Sequence, residues 1–511
     1  MRIATRTRDP RAGRRRRALG LGLLALALSG CAVGPDFVRP AVPGVDAYTA
    51  QPVPAEIAST TGAGSQRLAL GQSIPAQWWD LYHSRALGEV LSAAIDGSRT
   101  IAAARATLAA ARENVLAARG GYWPQLDVSG GVTRRRSSAL QTSATSTQGF
   151  GPGEATIYSV GPTASYAPDV FGATARSVEE QQALADLQGY ELAAAYLTLT
   201  GDAVTQAINI ASLRAQLQAT EGVVADDGRN LELVRLKYES GKTPRTDVLT
   251  AETQLASDRA ALPGLRQQLA AARDALVILT GRAPAAWSPP EFDLADFTLP
   301  GELPLSLPSA LARQRPDILA AEARLHADSA AIGIATANLY PSVTLSASLG
   351  QQALDTGSLF RSANTFWSLA GGLTAPLFHG GTLRAQRRAA IDTYRASLAT
   401  YEQTVLQGLQ QVADSLQALA HDAELVDAQR QLLDSASTAL SLQRESYEAG
   451  KSDLLQLLDA QRAYQQARLG DVRARAQRLQ DTAQLFVALG GGWWDAKLDP
   501  ASPALPSAAR P

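Results

Sequence analysis

Two stretches decide the architecture: Leu236-Lys237-Tyr238-Glu239-Ser240-Gly241-Lys242-Thr243 and Arg444-Glu445-Ser446-Tyr447-Glu448-Ala449-Gly450-Lys451-Ser452. Tyr238, Gly241 and Lys242 in the first match Tyr447, Gly450 and Lys451 in the second, at a constant offset of 209. Working outward, further landmarks fall in the same order. Tyr122-Trp123-Pro124 parallels Leu339-Tyr340-Pro341, Pro168 with Gly172 parallels Pro376 with Gly380, and Leu279-Thr280-Gly281 parallels Leu489-Gly490-Gly491. Landmarks that recur in register mean that the chain is two tandem copies of one unit.

Each copy reads helix, two strands, long helix, turn, helix. In Ser342-Val343-Thr344-Leu345-Ser346-Ala347-Ser348-Leu349 every second residue is apolar and the others carry hydroxyls. Leu126, Val128 and Val132 alternate in the same way with Gln125, Asp127, Ser129 and Thr133. Val160, Ala164 and Tyr166 alternate with Ser159, Thr163 and Ser165, and Trp367, Leu369 and Leu373 with Ser368 and Thr374. A period of two sends one set to each face of a sheet. Strands are therefore expected at about 124–135, 156–168, 341–350 and 366–377. An ordinary half-buried hairpin carries the same alternation. However, segments near ten residues with an apolar face and a small, uncharged polar face suit a transmembrane barrel. Trp123, Tyr166, Tyr340 and Trp367 lie near strand ends, where an interfacial belt belongs. The Ser/Thr/Gly-rich stretches 136–154 and 351–365 read as the longer outward loops. Four strands cannot close a ring, which takes about eight, and an open edge in lipid leaves backbone groups unpaired. If these strands span a membrane, the chain must oligomerise.

Between Gly172 and Gly241, and again over 380–449, run about 70 residues with few breakers, on the order of 100 Å of helix each. Helices expected near 86–120 and 244–280 together match the first in length, and those near 309–339 and 453–489 match the second. Two shorter helices stacked end to end are thus expected beside each long one. Ile210, Leu213 and Leu217, and Leu409, Val412, Leu416 and Leu419, follow coiled-coil spacing and read as packing seams. The fold class expected is mainly α with membrane β.

Near the N-terminus a basic region (Arg11 and Arg14 to Arg17) runs into an apolar stretch from Ala18 to Leu28, then Leu28-Ser29-Gly30-Cys31. That stretch is too short for a bilayer of about 30 Å and reads as a signal peptide over 1–30. Cys31 is the single cysteine, so no intramolecular disulfide framework exists. Its place resembles a bacterial lipobox, in which the thiol takes a diacylglycerol, and acyl chains add about 0.8 kcal/mol of membrane affinity per buried CH₂. Ala32 follows in place of an aspartate, which in similar lipoproteins favours the outer membrane. Segment 1–30 holds eight arginines and one aspartate, so its removal takes the net charge from −1 to −8. No basic block suited to nucleic acid remains. After residue 30 no apolar run approaches the length of a helical membrane span.

Catalytic patterns are sparse. His83, His326, His379 and His421 are widely separated, and neither His-x-x-x-His nor Cys-x-x-Cys occurs. Gly-x-Ser-x-Gly and a phosphate-cradling loop are also missing from the sequence. No enzyme activity, metal site or cofactor is expected.

Cys31-Ala32-Val33-Gly34-Pro35-Asp36-Phe37, Arg315-Pro316-Asp317-Ile318, and Tyr447-Glu448-Ala449-Gly450 followed by Leu457-Leu458-Asp459-Ala460-Gln461-Arg462 resemble the TolC/OprM family of outer-membrane efflux channels, in its NodT-type lipoprotein branch. The resemblance covers residues 31 to about 492. It implies a homotrimer whose four strands per chain make a 12-stranded β-barrel, continued by a long periplasmic α-helical barrel. It also implies docking to a periplasmic adaptor (membrane fusion protein) and an inner-membrane efflux pump, with outer-membrane lipid around the barrel. In that family the periplasmic tips close the channel. Leu455, Asp459 and Arg462 match its constriction, Tyr447 matches a contact with the neighbouring subunit's tip, and Asp247 matches the partner of that contact. Gly241 and Gly450 stand at the tip turns. Gln456 replaces a second acidic residue found in some relatives. Domain limits implied are a signal peptide at 1–30, an N-terminal and equatorial segment at 31–82, a first repeat at 83–283, a linker at 284–308, a second repeat at 309–492 and a tail at 493–511. Two other readings share features: the exit channel of a type I secretion system, and a lipid-anchored periplasmic coiled-coil scaffold that never crosses the membrane.

Overall fold

The computed structural model describes residues 32–41, 44–45, 47–50, 54, 56–57, 64–136 and 154–495. The signal segment, Cys31 and the tail from 496 lie outside the described residues. In chain order the elements are β1 (Glu56–Ile57), β2 (Gln66–Leu70), α1 (Arg85–Gly97), α2 (Arg99–Arg119), β3 (Gln125–Arg136), β4 (Glu154–Tyr166), α3 (Ala173–Glu239) and α4 (Arg245–Leu279). There follow β5 (Glu302–Leu305), α5 (Pro308–Gln314), α6 (Pro316–Ala337), β6 (Ser342–Ala353), β7 (Thr365–Thr374), α7 (Thr382–Glu448) and α8 (Leu454–Ala488). The chain forms two compact units, and each draws on both sequence repeats. One gathers the N-terminal segment to Arg39 with Ala110–Asp186 and Ala323–Ala399; the other gathers Pro40–Ala109, Leu187–Glu322 and the chain from Thr400.

The first unit is built on a four-stranded sheet of order β3-β4-β6-β7, antiparallel throughout. Its registers line up whole cross-strand rows. Asp127, Thr163, Ser348 and Ser368 form one row, and the Ser348 and Ser368 hydroxyls hydrogen-bond at 2.8 Å. The adjacent row is Leu126, Ala164, Ala347 and Leu369. Through these rows one face of the sheet is polar and the other apolar. Leu126, Val128, Val132, Trp367, Leu369 and Leu373 stand exposed on β3 and β7, the two edge strands.

Where the sheet hands over to helix, Asp169 receives the Thr174 and Ala175 amides at 3.1 and 2.7 Å, satisfying two free N–H groups at the start of α3. The N-terminal segment is strapped to this junction. The Val33 amide donates to the Phe171 carbonyl at 3.1 Å, and Arg176 bridges Asp36 and Glu179 at 2.7 Å each. Phe37 stacks on His326 with centroids 4.4 Å apart.

The second unit holds the main hydrophobic core, around Trp78, Tyr82, Leu91, Ile208, Leu276, Phe292 and Phe486. Beside it β1, β2 and β5 form a small sheet in which β2 and β5 run parallel. Segment 284–308, expected as a linker, is therefore structural: it supplies β5 and buries Phe292 and Phe297. Trp493, expected to open the tail, is buried as well, its indole N–H donating to the Gln314 carbonyl at 2.7 Å.

The expected helices near 86–120 and 309–339 are each broken, at Ser98 and at Arg315. Both breaks meet the C-terminal end of a tip helix. A Cβ on Gly97 would come within 2.2 Å of the Thr280 carbonyl oxygen just past α4, and one on Gly281 within 2.0 Å of the Gly97 carbonyl oxygen. In the second repeat Arg315 donates Nη1 to the Ala488 carbonyl at the end of α8 at 2.7 Å. Asp317 grips the same guanidinium at 2.7 and 3.0 Å, and the Gln411 Oε1 accepts from it at 2.8 Å. The end-to-end partners are thus α2 with α4 and α6 with α8. These pairs contain 56 and 57 residues, shorter than the 67 of α3 or α7.

Candidate functional site

Both long helices end in the same device. The Gly241 amide donates to the Tyr238 carbonyl at 2.9 Å and the Lys242 amide to the Lys237 carbonyl at 2.9 Å. The Gly450 amide donates to the Tyr447 carbonyl at 3.1 Å and the Lys451 amide to the Ser446 carbonyl at 2.8 Å. These are paired Schellman caps, which need a left-handed residue; Gly241 and Gly450 have φ of 71° and 70°. The return helices start differently. Pro244 precedes α4, whereas Asp453 caps α8 through its carboxylate, accepting the Gln456 amide at 2.9 Å.

Above the turns the two hairpins share an apolar cluster: Leu231 and Val234 of α3, Ala251 and Leu255 of α4, Leu440 and Tyr447 of α7, and Leu454, Leu457 and Leu458 of α8. The helical period then places the other face of α8 outward. Leu455 is 60% exposed, and the Asp459 and Arg462 side chains are 68% and 50% exposed, paired with each other at 2.9 Å. The structure therefore brings these three sequence-predicted residues onto one free face, with a local ion pair between two of them.

The two tip tyrosines have diverged. Tyr238 is 44% exposed and Tyr447 only 4%. Lys237 of the first tip sits over the Tyr447 ring, Nζ 3.5 Å from the centroid, and donates to the Tyr447 carbonyl at 2.8 Å. Desolvation lowers the Lys237 pKa from its ordinary value. The Tyr447 hydroxyl is buried with no hydrogen-bond partner among the described residues. Burial, and then the charge of Asp247, raise its pKa. Asp247 itself accepts from the Thr243 hydroxyl. Tyr447 and Asp247 are thus near enough to feel each other without a hydrogen bond between them. Lys237 was missed at the sequence level, because Ser446 occupies its place in the second tip and nothing in the repeat marks it.

An open two-faced sheet whose edges lack partners, joined in sequence to paired helical hairpins with matched tips, defines a subunit of a membrane channel. No helix among the described residues is long and apolar enough to cross a membrane. The sequence profile of the outer membrane efflux protein family matches residues 90–282 and 307–491, and the chain belongs to that family. It is 32% identical to the pyoverdine export outer membrane protein OpmQ of Pseudomonas aeruginosa over 451 residues, covering 86% of this chain and 93% of that protein. It is 30% identical to the solvent efflux pump outer membrane protein SrpC of Pseudomonas putida over 486 residues, 92% of this chain and 97% of that one. The solved outer-membrane channel OprN matches with a TM-score of 0.80 at 25% identity, covering 91% of this chain and all of OprN. The open state of the Neisseria gonorrhoeae MtrE outer membrane channel matches with a TM-score of 0.77 at 25% identity, over 91% of this chain and 99% of MtrE. The chain is an outer-membrane efflux channel subunit.

Proposed function

We propose that three copies of this chain close a 12-stranded barrel and conduct small organic compounds outward from a periplasmic adaptor and an inner-membrane pump. The observation that carries this reading is the pair of adjacent rows in the sheet, one wholly polar and one wholly apolar. A sheet with one lipid-facing and one water-facing side, and two open edges, has no stable use except in a closed ring. The relatives named for pyoverdine export and for solvent efflux point to small-molecule cargo. A lipid-anchored scaffold would leave that two-faced sheet without a role.

The gate lies at the tips. Leu455, Asp459 and Arg462 line the constriction, where three symmetry-related Asp459 carboxylates favour cations. The unpartnered Tyr447 hydroxyl is one half of a latch whose acceptor is Asp247 of a neighbouring copy, and Gly241 and Gly450 set the turns that carry both. Lipidation at Cys31 places the acyl chains next to Ala32, which packs against Gly172 at the start of α3, beside the end of the strands. In planar bilayers, Asp459→Ala combined with Tyr447→Phe should raise single-channel conductance and weaken cation preference. Conductance and selectivity equal to the native channel would remove the gate assignment.

A further inference from the structure

Between α3 and α4, Asp227 is 2% exposed and lies within hydrogen-bonding reach of Asp258. Amides surround the pair. Gln461 of α8 donates Nε2 to Asp227 Oδ1 while its Oε1 accepts from Asn230 Nδ2 at 2.7 Å. Asp258 accepts from Gln254 Nε2 at 2.8 Å and from Gln465 Nε2 at 3.3 Å. One atom is left over: Asp227 Oδ2 has no donor among the described residues. The nearby charges do not neutralise the pair. Asp226 adds repulsion, and its own partners are Arg229 on α3 and Arg444 on α7, the latter at 3.6 Å. Two carboxylates in contact without a cation require a proton between them, and a proton on Asp227 Oδ2 donated to Asp258 completes the network.

The second hairpin repeats the arrangement. Asp422 of α7 is buried and lies within hydrogen-bonding reach of Asp481 of α8, and Asp422 Oδ2 again has no donor among the described residues. Asp481 accepts from Gln477 at 3.0 Å. Unlike the first pair, this one has a cation beside it: Arg478 binds Gln66 Oε1 at 3.2 Å and the Gly64 carbonyl at 3.0 Å, its Nη1 has no acceptor among the described residues, and its charge acts on Asp422 and Asp427 against the stronger effect of burial. The placement is level in both cases: Asp227 and Asp258 stand 14 and 17 residues either side of Gly241, and Asp422 and Asp481 stand 28 and 31 either side of Gly450.

We propose that each helical hairpin carries a proton-shared carboxyl clamp, Asp227–Asp258 in the first and Asp422–Asp481 in the second. Each clamp holds its two helices together while the proton is present and loosens them when it leaves. Burial, reinforced by Asp258, pushes Asp227 up to about 8, and burial, reinforced by Asp481, pushes Asp422 up to about 7. The folded hairpins keep protons that an unfolded chain releases in the ordinary aspartate range. Their stability is therefore fullest in acid and declines as pH rises through these values. α8, which bears Leu455, Asp459 and Arg462, enters both clamps, through Gln461 and through Asp481. A less acidic periplasm would make that helix easier to move.

Hydrogen–deuterium exchange of the purified protein at about pH 6 and about pH 9, corrected for intrinsic rates, reads the clamps directly. Segment 415–485 should open about tenfold more readily at the higher pH, the equivalent of one unit of proton affinity, and segment 220–262, whose aspartate is pushed further up, by more than that. Asp227→Asn with Asp422→Asn supplies neutral amide donors in place of the protonated carboxyls and should abolish that pH dependence. Asp258→Asn with Asp481→Asn removes the reinforcing carboxylates but leaves Asp227 and Asp422 buried, and should weaken the pH dependence without abolishing it. Both clamps lie within one chain, so the measurement is independent of the proposed gate and of assembly. A native protein without the pH dependence, or either Asn pair retaining it in full, overturns the proposal.

Discussion

Arg315 shows how much one side chain can organise. Its guanidinium ends α8 by taking the Ala488 carbonyl, and Asp317 and Gln411 hold it in place. Arg315→Met should leave that buried carbonyl without a donor and lower stability by about 2–3 kcal/mol, read from urea unfolding of the solubilised protein. Arg315→Lys should recover only part of the loss, since an ammonium cannot make the fork. Full recovery by lysine would mean that charge alone matters there. The sequence displayed Arg315-Pro316-Asp317-Ile318 as a resemblance and not as a helix stop, because the group it caps is a backbone carbonyl far along the chain. Lys237 was hidden for the same reason: its partner, the Tyr447 ring, belongs to the other repeat. Leu455, Asp459 and Arg462 were legible because a shared helix face follows from spacing alone. The buried carboxyl pairs were not, since aspartates at helical surface positions look alike until the facing helix is known.

The helical stretches were legible in their order, but the breaks at Ser98 and Arg315 were not, so the described residues hold eight α-helices where six were expected. Periodicity carries through a break when both halves keep an apolar side, and here the cause is a helix end arriving from elsewhere. Two glycines separate the effects of conformation and contact. Gly281 and Gly450 have nearly the same φ, 71° and 70°, yet a Cβ on Gly281 meets backbone and one on Gly450 meets open space. Gly450→Ala should cost about 1 kcal/mol, the left-handed penalty alone. Gly281→Ala should cost about 3 kcal/mol or more, because the Gly97 carbonyl cannot move without displacing the junction of α1 and α2. Thermal melting by circular dichroism compares them, and equal losses would show that the contact at the break is soft. β5 escaped notice because a four-residue strand containing Pro304 carries too little pattern to stand out.

At the scale of the molecule, alternation along single strands was enough to foretell the two-faced sheet, and arithmetic was enough to foretell that one chain cannot finish it. The order β3-β4-β6-β7, which brings the second strand of one repeat beside the first strand of the next, needed the structure. The two open edges have a kinetic consequence. A single chain has no comfortable way to enter lipid, since β3 and β7 would each present an unpaired row of backbone groups to hydrocarbon. Crossing the membrane and finding two other copies should therefore be one concerted event. When the urea-unfolded chain is diluted into lipid vesicles, the half-time for a heat-resistant oligomer should lengthen steeply as protein concentration falls. A half-time indifferent to concentration would mean that chains insert alone and meet afterwards. If insertion is collective, the cell's supply of finished ducts depends on local crowding of newly delivered chains, and the lipid tail proposed for Cys31, by confining them to a surface, would act as a concentrating device before any channel exists.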